Sequence, residues 1–236
     1  MAVERAQTGI PGLDELIQGG IPRGASVVVA GGTGTGKSIM AMEFIYNGAL
    51  QFNEPGVFVT IETNKQNLLW DMENFNWDLK KMQDNSMLKI ERLKFMPGAD
   101  MEQQVLEQLK IIAKLVKSIN AKRLVIDSTT ALGIWISDKG VLRNTLFRFL
   151  NALKEIGCTT ILTAETKGHF NEFSSFGVEE FVADAVIALY LVPPNRSIFV
   201  RKMRGTKHSK RIHPLDIDTN GLTIKPKDEI LWQSLR

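Results

Sequence analysis

Gly31-Gly32-Thr33-Gly34-Thr35-Gly36-Lys37-Ser38 matches the pattern G-x-x-x-x-G-K-[ST] without departure. Each part has its own physical reason. Glycines let the backbone curl so that successive N–H groups face a phosphate. A helix that follows aims the positive end of its dipole at the same anion. Lys37 is expected to bridge the β- and γ-phosphates of ATP, and the Ser38 hydroxyl to ligate Mg²⁺. The expected nucleotide-binding run is therefore Gly31 through Ile39. A glycine-rich surface turn that happens to precede Lys-Ser is the alternative, but an apolar strand before the loop and a helical pattern after it favour the phosphate reading.

Hydrolysis at such a loop needs a second metal anchor and a group that orients water. Asp127 ends the apolar run Leu124-Val125-Ile126 and supplies the anchor, with Ser128 next to it. Its alternative role is to cap the following segment. Glu62 ends Val57–Ile61, and in open α/β sheets ligands gather at the carboxyl ends of strands. A glutamate there can align and deprotonate water; the alternative is a solvated loop acid. Glu165 ends another strand and is read as a sensor of the γ-phosphate state.

The stretch Arg196 to Arg211 holds seven Lys or Arg and no acid. In a strand, Lys202 and Arg204 point to one face. Three readings fit this charge pattern: an arginine finger that stabilises phosphoryl transfer, a strip that neutralises nucleic-acid phosphates, and a solvated basic face. His169 and His213 lack metal-ligand spacing.

The elements that must position these groups alternate between strand and helix. Ser26–Ala30, Val57–Ile61, Leu124–Ile126 and Thr159–Thr163 read as buried strands. Lys37–Gln51 and Asn64–Asn76 read as helices. Val105, Leu109, Ile112, Val116 and Ile119 mark one face of a helix from Met101 to Ile119, and Leu142, Leu146, Leu150 and Leu153 mark another that ends near Gly157. From Ala185 the pattern changes to a hairpin turning at Pro193-Pro194-Asn195, then two short strands around Asn220-Gly221. The expected fold is α/β: a mainly parallel twisted sheet flanked by helices, with a C-terminal antiparallel β extension. Trp70 and Trp77, seven apart, are expected to pack.

The 236 residues, 44% hydrophobic and 23% charged, fit one globular domain covering 1–236 and exclude a disordered or collagen-like chain. The lone Cys158 lies in an apolar stretch, is read as core, and suits a reducing cytoplasm. Neither a secretory signal nor a membrane span is expected. The net charge of +3 is small, and it is local: without the seven cations of the basic stretch the chain carries −4.

Taken in order, these segments resemble the KaiC-like branch of the RecA/RadA superfamily of ATPases. The resemblance rests on Thr8-Gly9-Ile10-Pro11-Gly12-Leu13-Asp14, Gly19-Gly20-Ile21-Pro22, Gly34–Ser38 with Phe44–Gly48, and Phe58–Glu62. It continues through Phe75-Asn76-Trp77-Asp78-Leu79, Ile126-Asp127-Ser128, Gly177–Asp184 and Arg204-Gly205-Thr206-Lys207-His208. It implies a RecA-like P-loop core and a homo-oligomeric ring, usually a hexamer, with ATP between subunits. Lys202, Arg204, Thr206 and His208 would then reach the neighbour's nucleotide, and Asn74 and Asp218 fall at nucleoside-contact positions. The chain departs from the family in having Glu62-Thr63 where paired glutamates are common, which leaves water activation to Glu62 alone. It carries one such domain rather than two, so a circadian oscillator is not implied.

Three functions remain open on the sequence. One is a ring ATPase with shared sites. Another is a RadA-paralogue accessory factor that binds single-stranded DNA or a recombinase, through loops Ile134–Gly140 and Thr166–Phe176 with Trp135, Phe170, Phe173 and Phe176. The last is a nucleotide-sensing scaffold with negligible turnover.

Overall fold

Uninterrupted apolar strands need cover on both faces, and amphipathic helices supply it. In a computed structural model that describes residues 3–96, 100–136, 138–166 and 173–231, they assemble around one nine-stranded sheet. A short ribbon, β1 (Arg5–Ala6) and β2 (Ile21–Pro22), brackets helix α1 (Leu13–Leu16). Then come β3 (Ser26–Gly31), α2 (Lys37–Phe52), β4 (Gly56–Thr60), α3 (Lys65–Asp71), α4 (Leu79–Asp84), β5 (Leu88–Arg92), α5 (Met101–Ser118) and β6 (Arg123–Asp127). A 3₁₀ turn at Thr129–Ala131 and α6 (Leu132–Trp135) lead to α7 (Lys139–Glu155), β7 (Thr159–Glu165) and α8 (Glu179–Val182). The chain ends in β8 (Ala185–Val192), β9 (Asn195–Met203), β10 (Ile212–Asp218) and β11 (Gly221–Ile224).

The strand order is β11-β10-β9-β8-β3-β7-β6-β4-β5. Pairing is parallel from β5 to β8 and antiparallel from β8 through β11. This is the expected parallel core with its antiparallel extension. Alternate residues of β3 serve opposite faces. Val27 and Val29 pack in the cluster that holds Met40, Phe44 and Ile45 of α2. Val28 and Ala30 pack with Ile112 of α5 and Leu146 and Phe149 of α7. Cys158 is buried in the second cluster, and burial pushes its thiol up to about 11.

The predicted α5 stripe holds at Val105, Ile112 and Val116, which are buried, while Leu109 and Ile119 are only partly covered. Gln104 and Gln108 share that stripe because their amides donate to the Met96 and Lys94 carbonyls at 3.0 and 3.1 Å, tying down the segment after β5.

The helix expected over Asn64–Asn76 is shorter. Asn64 caps it by accepting from the Asn67 amide at 2.8 Å, and it stops at Asp71. There the chain turns so that Trp77 stacks on Phe75 and Tyr46, with ring centroids 4.5 and 5.7 Å apart. Trp70 does not pack with Trp77: it is 69% exposed. Helix α4 and edge strand β5 were not anticipated. Asp78 caps α4 at the Lys81 amide, and β5 buries only Leu88 and Ile90 between polar neighbours, too short an alternation to read as a strand.

Arg123 opens β6 and is fully buried. It pairs with Glu54 at 2.6 Å, donates to the Phe44 and Gln7 carbonyls at 2.8 and 2.7 Å, and lies 4.5 Å from the Phe44 ring centroid. Gly48 of α2 makes this possible, since a Cβ there would sit 2.3 Å from the guanidinium Nε.

Candidate nucleotide-binding site

The carboxyl ends of β3, β4, β6 and β7 are neighbours in the sheet, so whatever follows each strand meets at one edge. Four predicted groups converge there. Lys37, Glu62, Asp127 and Glu165 line one cavity of about 580 Å³ with Ser38 and Ser128, a size that suits a small-molecule ligand.

After β3 the chain curls through Gly34 and Gly36, both at positive φ, into the N-terminus of α2. Gly36 stands at φ +101°, and a Cβ there would come within 2.7 Å of the Ile217 side chain, so only glycine fits without displacement. The Thr35 hydroxyl and the Lys37 ammonium both donate to the Gly32 carbonyl at 2.9 Å, which holds the loop curled. The first turn of α2 carries no acid, so its dipole end is electrostatically open to an anion. Burial lowers the Lys37 pKa, while the carboxylates of Glu165, Asp127 and Glu62 act to raise it.

Asp127 is half-buried, and its desolvation raises its pKa against hydrogen bonds from Thr163 and Ser38. Ser38 and Asp127 are therefore already in contact, a pair of hard oxygen donors suited to a magnesium ion. The Ser128 hydroxyl donates to Glu62 Oε1 at 2.7 Å. Thr63 lines the same cavity, and its backbone N–H and C=O are both engaged by the Thr60 hydroxyl. The Glu165 backbone is pinned too: its amide donates to the Thr130 hydroxyl at 2.8 Å, and its carbonyl accepts from Ser175 at 2.6 Å.

Of the predicted run, Thr33, Gly34, Gly36, Lys37, Ser38 and Ile39 line the cavity, while Gly31, Gly32 and Thr35 shape the loop behind it. Several other predicted residues stand elsewhere in the same chain. Asn74 and Asp218 do not line the cavity; Asp218 instead accepts from the Asn220 amide at the turn before β11. Lys202, Arg204, Thr206 and His208 are also outside it.

Lys202 donates to the Glu180 and Ala183 carbonyls at 3.1 and 2.7 Å, and Arg204 lies 3.7 Å from Asp184. The two cations face the same region, but not through strand alternation, since β9 ends at Met203 and Arg204 stands in the turn beyond it; Asp184 is an acid beside them that was distant in sequence. Burial opposes ionisation of Asp184, but hydrogen bonds from Ser26 and Lys154 hold its carboxyl below the usual range. Thr206 accepts from Arg5 at 3.0 Å, and the Lys207 amide donates to Gln18 at 2.7 Å. The N-terminal ribbon thereby clasps the basic loop.

Sequence reasoning missed Arg196, which lines the cavity and donates to the Gly34 carbonyl at 3.1 Å. It belonged to the recognised basic stretch, but its register against β8 gave no sign of a contact with the loop. Leu68, Asp71 and Met72, around the end of α3, also line the cavity.

Of the aromatics considered for base stacking, Phe173 is buried under Arg201, 5.3 Å from the guanidinium, and Phe176 packs partly buried against the core. Phe170, Lys167 and His169 lie outside the described residues, as does the side chain of Trp135. Buried His213 bonds Ser209 at 2.7 Å and the Asp228 carbonyl at 2.8 Å, a structural role. Among the described residues no helix is long and apolar enough to cross a membrane.

Known proteins resemble the chain over nearly its whole length. A family profile described as the KaiC ATPase matches residues 6–229. The circadian clock oscillator protein KaiC of Synechococcus elongatus is 37% identical over 236 residues, covering 95% of this chain and 45% of its own. A UPF0273 protein of Methanopyrus kandleri is 38% identical over 242 residues, covering 96% of this chain and 94% of its own. The chain thus spans about half the length of the KaiC relatives and nearly all of the archaeal one. A crystal structure of a KaiC-like protein from Pyrococcus horikoshii superposes with a TM-score of 0.85 at 41% identity, covering 95% of this chain and 100% of that chain.

Proposed function

The chain belongs to the KaiC ATPase family, and on that premise we propose that it is a magnesium-dependent ATPase that works as a homo-oligomeric ring with active sites shared between subunits. The observation that carries this reading is the convergence of Lys37, Ser38, Glu62 and Asp127 on one cavity at the carboxyl edge of the sheet.

The loop amides and Lys37 bind the triphosphate of ATP. Ser38 and Asp127 would hold the magnesium ion, which when bound neutralises phosphate charge. Glu62, steadied by Ser128, aligns a water on the γ-phosphorus and accepts its proton. The water oxygen forms the new P–O bond, the bond to the β–γ bridging oxygen breaks, and ADP and inorganic phosphate leave. Thr63 contributes no carboxylate, so Glu62 alone serves the water.

Arg204 and Lys202 lie outside their own chain's cavity, which is the arrangement expected of groups that act on a neighbour's ligand. A lone chain would then bind ATP but turn it over slowly. A domain spanning 1–236 and a hexameric ring complete the proposal.

The test is phosphate release from Mg-ATP by the wild-type chain and by Lys37→Ala. The proposal expects release that depends on magnesium and is abolished by the substitution. Equal rates in the two proteins would refute it, and tight ATP binding without release would make the chain a sensor instead.

A further inference from the structure

We propose that the contact between successive copies is made by Trp70 of one chain seated in the cleft between Phe147 and Phe181 of the next. This rests on the shared-site reading and names the surface that reading requires.

Among the described residues three large aromatics are left in water: Trp70 at 69% exposure, Phe181 at 71% and Phe147 at 52%. Exposed aromatics that cluster, rather than scatter, mark interaction sites. Phe147 of α7 and Phe181 of α8 line one cleft of about 550 Å³ together with Arg143, Lys154 and Arg204. Among the described residues no acid lines that cleft, although its Lys154 and Arg204 lie 3.0 and 3.7 Å from Asp184.

Trp70 sits on α3, whose Leu68 and Asp71 line the nucleotide cavity, so the exposed indole belongs to an element that borders that cavity. Asp71 and Glu73 both follow within three residues of it. One surface is therefore an aromatic knob flanked by acids, and the other an aromatic cleft lined by cations. The two are complementary in shape class and in sign.

They are also different patches of one chain. Their contact is heterologous, running head to tail, and it closes into a ring or continues as a filament. The placement has a consequence for the chemistry. Phe181 and Arg204 line one cleft, while Asp71, next to Trp70 in sequence, and Lys37 line one cavity. Seating the indole between the phenyl rings brings Arg204 to the mouth of the partner's nucleotide cavity. A single-stranded nucleic acid, stacking its bases on the two phenylalanines, is the competing occupant; it would leave Trp70 and its acidic neighbours without a partner.

The experiment measures assembly by light scattering against chain concentration, with magnesium and a non-hydrolysable ATP analogue. Trp70→Ala and Phe181→Ala are each expected to raise the concentration needed for assembly about tenfold or more, and Trp70→Phe to restore most of it. Cross-linking supplies the second measurement, with both aromatics kept. Glu73→Cys and Asn144→Cys chains are mixed and treated with a short bismaleimide, to which buried Cys158 is silent. Covalent dimers are expected from the mixture. Wild-type assembly by both alanine variants, with no cross-link, overturns this surface while leaving shared sites standing. Failure of the wild-type chain to assemble overturns both. Oligonucleotide binding that is lost in Phe181→Ala assigns the cleft to nucleic acid instead.

Discussion

The Ser128 hydroxyl donates to the Glu62 carboxylate at 2.7 Å, joining the ends of β4 and β6 across the site. With one oxygen held, the carboxylate keeps the other for water. Glu62→Gln should lower kcat by about 10²–10⁴ and leave KM nearly unchanged, since the loss falls on proton transfer rather than on binding. Ser128→Ala should cost about tenfold, through orientation alone. Steady-state phosphate release measures both, and wild-type kcat in Glu62→Gln would exclude this role.

Arg5 ties the N-terminal ribbon to the basic loop, donating to the Gly20 carbonyl at 2.9 Å and the Thr206 hydroxyl at 3.0 Å. Arg5→Ala should slow turnover of the assembled protein by about tenfold, because Arg204 is held less well. Nucleotide affinity of single chains should be unchanged by calorimetry. A loss of affinity equal to the loss of turnover would place Arg5 in general stability instead.

Gly48 leaves the space that Arg123 fills. Alanine normally favours a helix, yet here its methyl group would displace a buried, fully bonded guanidinium. Gly48→Ala should therefore destabilise the fold by about 1–3 kcal/mol despite the gain in helix propensity. Urea denaturation reads this directly, and a stabilised variant would show that the guanidinium yields freely.

Glu43 of α2 accepts from the Leu222 amide at 2.7 Å, and burial pushes its carboxyl up from 4.5 to about 8. Between those values the folded chain keeps a proton that the unfolded chain has released. Stability contributed by this group is thus full below about 4.5, falls as pH rises through the window, and levels off above about 8. Glu43→Gln should remove that slope, gaining on the order of a few kcal/mol at pH 9 relative to pH 5. Thermal unfolding at the two pH values checks it; an unchanged difference would mean that Glu43 is solvated in the fold.

The parallel core and the phosphate loop were legible because both are local. Val27 to Ala30 show burial on two faces by their unbroken apolar run, and the loop carries its chemistry in consecutive residues. Glu62 and Asp127 were legible from the rule that strand ends converge. Arg196 and the Ser128–Glu62 bond were not, because each depends on a register between segments far apart in sequence. Trp70 was misread for a related reason: spacing suggested a partner at Trp77, but the turn after Asp71 sends the two rings apart. Arg123 is a cation at the head of an apolar strand, and only the gap at Gly48 explains how it can be buried.

The claim at the centre is that one chain's Lys37 and another's Arg204 serve the same nucleotide. Turnover of a one-to-one mixture of Lys37→Ala and Arg204→Ala chains tests it most directly. Each variant alone should be nearly inactive, while random head-to-tail assembly leaves about a quarter of the interfaces with both groups intact, and activity should return in that proportion. A mixture no more active than its two components would contradict the shared site.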